Sequence, residues 1–207
     1  MSPRPLFVKV CGITRLQDAD LAADLGATAI GFIFWPGSPR YVSPEDARGI
    51  VRRKAAGVKT VGVFVDEPPE RVRQVADLVG LDMVQLHGSE SAGVVRDLSG
   101  RVGVIKAITL DGGAPDLSGF DEDVLILLDA HDPARQGGTG RTIDWDAARG
   151  IAASRRTILA GGITPENVGE AVSAVEPYGI DVSSGVESAP GIKDAARLKR
   201  LFEAFND

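Results

Sequence analysis

One unit repeats along this chain: a short apolar run, a polar turn, then a segment with helical spacing. The apolar runs are Leu6–Val10, Ala29–Phe34, Thr60–Val65, Met83–Leu86, Val102–Ala107, Val124–Leu128, Thr157–Ala160 and Ile180–Val182. They are nearly continuous rather than alternating, which suits parallel strands covered on both faces. The helical segments between and after them are Leu16–Leu25, Pro44–Ala55, Pro69–Leu78, Glu90–Leu98, Trp145–Ala153, Pro165–Val175 and Lys193–Phe205. Ser43-Pro44-Glu45 and Thr164-Pro165-Glu166 both read as helix starts, with a hydroxyl before a first-turn proline and then an acid. Strands alternating with helices in this number predict an α/β fold, a single (β/α)8 TIM barrel spanning residues 1–207. An open doubly wound sheet is the alternative, but no GxGxxG or GxxxxGK[ST] follows any run. The Gly/Asp/Pro-rich stretch between Ala107 and Val124 predicts that helix 5 of the barrel is short or missing.

Composition narrows the partners. Net charge is −6, without a block of Lys and Arg, which argues against nucleic acid. No apolar run reaches the roughly 18 residues of a membrane span. Met1–Pro5 is followed by no signal-peptide core, and a single cysteine excludes an internal disulfide. These features predict a cytoplasmic protein that does not engage membranes. The two His and one Cys are too scattered to suggest a transition-metal site.

In such barrels the chemistry sits at the C-terminal ends of the strands. That rule selects Cys11 after strand 1, Gln85 and His87 at strand 4, Asp129 after strand 6 and Asp181 at strand 8. Cys11 alone fits a buried inert thiol as well as a reactive one. Alternation places Lys9 and Cys11 on one face and Val8 and Val10 on the other, so the polar pair points into the barrel. Lys9 then either supports a thiolate at Cys11 or pairs structurally with a carboxylate such as Asp181. Asp129 precedes a Gly-rich stretch, 131–141, whose composition suits a lid and which includes His131. Gly161-Gly162 after strand 7 and Ser184-Gly185 after strand 8 occupy the usual phosphate position of a barrel. Arg40, in the loop after strand 2, suits a planar carboxylate.

Several segments, in order and covering nearly the whole chain, resemble the phosphoribosylanthranilate isomerase family. They include Lys9-Val10-Cys11-Gly12-Ile13-Thr14, Ser38-Pro39-Arg40-Tyr41, Val84-Gln85-Leu86-His87-Gly88, Leu127-Leu128-Asp129, Gly137-Gly138-Thr139-Gly140, Ala160-Gly161-Gly162-Ile163 and Asp181-Val182-Ser183-Ser184-Gly185-Val186-Glu187. The resemblance implies an Amadori rearrangement in tryptophan biosynthesis, on a small anionic phosphosugar and without cofactor or metal. It implies Cys11 as general base and Asp129 as general acid, with Arg40 on the anthranilate carboxylate. Gly161, Gly162, Ser184 and Gly185 would meet the phosphate, and Gln85, His87 and Asp181 would line the substrate. A homodimer and a monomer are both compatible with it. The chemistry needs a carboxyl at Asp129 still protonated near neutral pH. It also needs an ionisable thiol, so a depressed pKa is expected at Cys11, with Lys9 a candidate cause. The related histidine-pathway isomerase would carry an aspartate where Cys11 stands, and indole-glycerol-phosphate synthase would need lysines and a glutamate on other strand ends. A non-catalytic sugar-phosphate-binding module would not need both Cys11 and Asp129.

Overall fold

A computed structural model describes residues 7–110, 115–129 and 145–204. The apolar runs form strands β1 (Phe7–Val10), β2 (Ala29–Ile33), β3 (Lys59–Phe64), β4 (Met83–Leu86), β5 (Gly103–Thr109), β6 (Leu125–Asp129), β7 (Thr157–Leu159) and β8 (Gly179–Val182). All pair in parallel and in sequence order, and β8 closes onto β1 to make a barrel. Around it lie helices α1 (Leu16–Asp24), α2 (Pro44–Val51), α3 (Pro69–Val79), α4 (Ala92–Ser99), α5 (Trp145–Ala152), α6 (Val168–Val175) and α7 (Ala195–Ala204). Among the described residues no helix is long and apolar enough to cross a membrane.

Strand alternation divides the core into two shells. Phe7, Ala29, Val61, Ile105, Leu127 and Ile158 fill the barrel interior. Val8, Val10, Ile30, Phe32, Ile126 and Leu128 face the helices. Both Leu127 and Leu128 are fully buried, on opposite faces of one strand. Burying each such side chain contributes about 1.5–3 kcal/mol, and this two-sided burial is why the strands read as unbroken apolar runs.

Helix 5 of the ideal barrel is absent from the described residues between β5 and β6. Arg155, just before β7, fastens that connection instead. Its guanidinium donates to the carbonyls of Phe120 at 3.1 Å and Asp121 at 2.8 Å, satisfying backbone acceptors that a helix would have paired internally. The Gly-rich stretch 131–141, with His131, lies outside the described residues.

Three expected helix starts move. Ser43 caps α2 as expected, its hydroxyl accepting from the Asp46 N–H at 3.1 Å. Thr164, by contrast, does not start α6 at Pro165. Asn167 intervenes, accepting from the Thr164 N–H at 2.8 Å and donating to the Gly162 carbonyl at 2.9 Å, which holds 164–167 as a turn. Glu90 lies before α4 rather than inside it, drawn to the Lys106 ammonium at 2.8 Å. Lys193 belongs not to α7 but to a small antiparallel hairpin, β9 (Glu187–Ala189) and β10 (Ile192–Lys193).

Candidate active site

Lys9 and Cys11 both turn inward at β1, and both are buried. The β1–β8 register sets Lys9 beside Asp181, and the Lys9 ammonium donates to Asp181 Oδ2 at 2.8 Å. A buried ammonium without a partner would be very costly, so the structural role of Lys9 is realised. Burial pulls the Lys9 pKa down, but the charges and hydrogen bonds of Asp181 and Cys11 outweigh it and raise it above the ordinary value. Gly31 on β2 leaves the space above this pair open. A Cβ there would lie 2.9 Å from Cys11 Sγ and 3.0 Å from Lys9 Cε.

The expectation of a depressed thiol pKa at Cys11 is corrected here. Burial pushes the Cys11 thiol up, and the nearby Asp181 charge adds to that, while Lys9 and Lys193 only partly offset it. Lys9 is the strongest pull toward a thiolate, by charge and by hydrogen bond, but burial outweighs it. Burial likewise pushes the Asp181 carboxyl up, against the pull of Lys9.

Replacing Lys9 by Met tests the structural half of this arrangement. It strands Asp181 in the barrel without its counter-ion, and breaking a buried pair in this way typically costs about 3–5 kcal/mol. Urea unfolding should show a loss of that order, and a loss below about 1 kcal/mol would mean that the pair contributes only as an exposed one does.

A second group gathers around the end of β4. The Gln85 side-chain amide nitrogen faces His87 Nδ1 at 2.8 Å. An amide N–H can only donate, so with the amide so oriented Nδ1 accepts and the imidazole proton sits on Nε2. Nε2 lies 3.2 Å from Asp129 Oδ2, at the end of β6. Cys11 follows β1 and Asp129 ends β6, and the C-terminal ends of both strands lie at the same end of the closed parallel barrel, so the two groups share one barrel mouth. Three buried polar atoms here have no hydrogen-bond partner among the described residues: Gln85 Oε1, Asp181 Oδ1 and Ser183 Oγ. Buried polar atoms normally find partners, and these three remain available to a ligand's hydroxyl or amine groups.

Arg40 reaches the same rim from the loop after β2. Its Cδ stands where a Cβ on Gly12 would be, 2.7 Å away, and Gly12 has φ +75°. Only glycine lets the arginine stem cross so close to the Cys11 peptide. The glycine cradle follows β7 at the same end of the barrel. Gly161 and Gly162 after β7 have φ of 75° and 68°, a conformation in which successive N–H groups can converge on an anion. Gly185 packs directly against it, since a Cβ there would collide with the Ile163 carbonyl oxygen. Ser184–Val186 forms a single 3₁₀ turn beside this contact.

Three charged residues that reach this rim or support it escaped the sequence reading. Glu187 closes the last matched motif but was given no role there; it is buried and grips Arg40. Lys193 reaches Glu187, and Lys106 pairs with Glu90 beneath the β4 loop. Lys106 did leave a signal, a charge inside the apolar run Val104-Ile105-Lys106-Ala107-Ile108. Lys193 left none, because a lysine before a helical segment is ordinary.

A thiol and a carboxyl that face one barrel mouth from β1 and β6 can trade protons with different atoms of one small molecule. Fold and site together therefore define a (β/α)8-barrel enzyme of the acid–base type. Comparison supplies the family: the model described as N-(5'-phosphoribosyl)anthranilate (PRA) isomerase matches residues 8–204, and the chain belongs to that family. An N-(5'-phosphoribosyl)anthranilate isomerase of Pelobacter propionicus is 47% identical over 196 residues, covering 94% of this chain and 92% of its own. The crystal structure of phosphoribosyl anthranilate isomerase from Thermotoga maritima superposes with a TM-score of 0.89 at 41% identity, covering 97% of this chain and 98% of that one. A crystal structure of a phosphoribosyl anthranilate isomerase in complex with reduced 1-(o-carboxyphenylamino)-1-deoxyribulose 5-phosphate gives a TM-score of 0.83 at 39% identity with the same coverage.

Proposed function

We propose that this chain converts N-(5'-phosphoribosyl)anthranilate, an aminoaldose, into 1-(2-carboxyphenylamino)-1-deoxyribulose 5-phosphate, an aminoketose, in tryptophan biosynthesis. The observation that carries the reading is the shared mouth of Cys11 and Asp129, with Arg40 and the glycine cradle on loops at the same end of the barrel. The Asp129 carboxyl gives its proton to the ribose ring oxygen as the C1–O bond breaks, leaving a protonated imine. Cys11, as thiolate, removes the C2 proton that the imine has made acidic. The resulting enolamine takes a proton at C1 from the Cys11 thiol and gives its C2 hydroxyl proton to the Asp129 carboxylate, so the ketone forms and both groups return to their starting states.

The raised thiol pKa is consistent with this sequence. The imine carries a positive charge beside Cys11 only once the ring has opened, and a nearby cation favours a thiolate. In this reading the thiol ionises readily only once its substrate is activated. Asp181 Oδ1, Gln85 Oε1 and Ser183 Oγ accept the sugar hydroxyls or the bridging N–H. Gly161, Gly162, Ser184 and Gly185 hold the phosphate through backbone N–H groups, and Arg40 holds the ring carboxylate.

The direct test follows the fluorescence of phosphoribosylanthranilate as purified protein is added. The adduct should disappear with formation of the aminoketose; an adduct that decays only by spontaneous hydrolysis to anthranilate would refute the assignment. Arg40→Ala should raise KM by about tenfold or more, the value of a charge-assisted contact, with a smaller change in kcat. An unchanged KM would remove Arg40 from the carboxylate position.

A further inference from the structure

Arg40 does not stand free at the rim. Its Nε donates to Glu187 Oε1 and Oε2, each at 3.0 Å, and its Nη2 donates to Oε2 at 2.7 Å. One edge of the guanidinium is thus taken. The remaining edge, Nη1 with the second N–H of Nη2, has no hydrogen bond among the described residues, and it is the edge that can form a second two-point fork. The Arg40 side chain is 20% exposed and that of Glu187 only 4%, so the carboxylate lies beneath and the arginine above it.

Glu187 is itself fixed. Lys193 donates to Glu187 Oε1 at 2.8 Å, to the Cys11 carbonyl at 2.5 Å and to the Ser183 carbonyl at 3.3 Å. Three acceptors match the three N–H groups of an ammonium, and Glu187 supports that charge against burial, which pulls the Lys193 pKa below its ordinary value. The Gly191 N–H adds a contact at 3.3 Å. Burial would push the Glu187 carboxyl up, but the hydrogen bonds and charges of Arg40 and Lys193 hold it below the usual range. Asp18, beside the Lys193 backbone, is matched by Arg15 at 2.8 Å. Two cations and one anion leave one positive charge uncompensated at the rim, an arrangement that a bound carboxylate completes.

We infer that Glu187 is a positioning residue: by occupying one edge of Arg40 and tying it through Lys193 to the Cys11 carbonyl, it aims the free edge at the substrate's ring carboxylate at a fixed distance from the thiol. This deepens the function proposed above and rests on it. Without Glu187 the arginine keeps its charge but loses its direction, and a guanidinium's advantage over a point charge is its direction.

The test uses two ligands and four proteins. The ligands are the reduced aminoketose product and the same compound without its ring carboxylate. The proteins are the wild type, Glu187→Gln, Arg40→Ala and the double variant. Glu187→Gln should weaken the carboxylate ligand by about tenfold while changing the other by less than about twofold. It should raise KM far more than it lowers kcat. On the Arg40→Ala background it should add less than about twofold, because residues acting through one contact are not additive. Equal weakening of both ligands, or full additivity with Arg40→Ala, would overturn the positioning role. Unaltered carboxylate binding by Arg40→Ala alone would instead overturn the carboxylate reading of Arg40. If Glu187→Gln loses its circular-dichroism signal, Glu187→Asp takes its place: it keeps the charge but shortens the reach. The same selective loss, of about threefold, is expected, and an equal loss for both ligands would again refute the inference.

Discussion

Cys11→Ala should lower kcat by roughly 10²–10⁴-fold, the usual contribution of a positioned general base. KM should change little, because the thiol touches a C–H bond and not the charged ends of the substrate. Folding should be only modestly affected, since alanine removes one buried sulfur atom, a loss of about 1 kcal/mol on the scale of a buried methylene. The environment adds a second expectation. Burial places the Cys11 pKa above that of an ordinary thiol in the free protein. A base must be deprotonated and its partner acid protonated at once, so kcat/KM, which reports free-enzyme groups, should follow a bell. The thiol should set the upper, falling limb, with a midpoint above the roughly 8.5 of a free thiol, and the Cys11→Ala variant should lose that limb. The kcat profile, which reports the complex, should have its limb at lower pH, because the cationic imine then faces the sulfur. Coincident limbs would mean that substrate charge does not tune the thiol. A kcat within tenfold of wild type would remove Cys11 as the base.

Much of this site follows from strand periodicity, because a parallel barrel turns position along a strand into position in space. The period of two placed Lys9 and Cys11 inside, and the strand-end rule selected Asp129, His87, Gln85 and Asp181. Neighbouring β1 and β8 then made the Lys9–Asp181 pair a matter of register, although 172 residues separate the two in sequence. The second layer is different. Arg40 meets Glu187 across 147 residues, and Lys193 meets the Cys11 carbonyl across 182. Those residues lie on loops and on a two-strand hairpin, where no period fixes the direction of a side chain. The thiol pKa was misjudged for a related reason. The sequence put a lysine beside the cysteine, and its charge does pull the thiol down, but the net sign is set by burial with Asp181 adding to it, neither of which adjacency reveals. The turn at 164–167 was likewise decided by the Asn167 side chain bonding back to Thr164 and Gly162, a local competitor to helix that the Thr-Pro-Glu pattern conceals.

Asp129→Asn should be as damaging as the loss of the thiol, roughly 10²–10⁴-fold in kcat, and for a reason that separates acid catalysis from simple polarity. Asparagine keeps the shape of the side chain and leaves an oxygen to face His87 Nε2, now 3.2 Å from Asp129 Oδ2. What it lacks is a proton acidic enough to pass to the ring oxygen as the C1–O bond breaks. KM should therefore stay near that of the wild type, and binding of the reduced product should be retained. The loss should appear in single-turnover experiments, where product release does not contribute. His87 supplies the control. If Gln85 holds its Nδ1 as an acceptor, the imidazole presents Nε2–H to Asp129 and serves to orient it rather than to replace it. His87→Ala should then cost clearly less than Asp129→Asn, and the double variant little more than Asp129→Asn alone. Should His87→Ala prove the more harmful, with Asp129→Asn within tenfold of wild type, the proton would come from the imidazole and Asp129 would be its orienting partner.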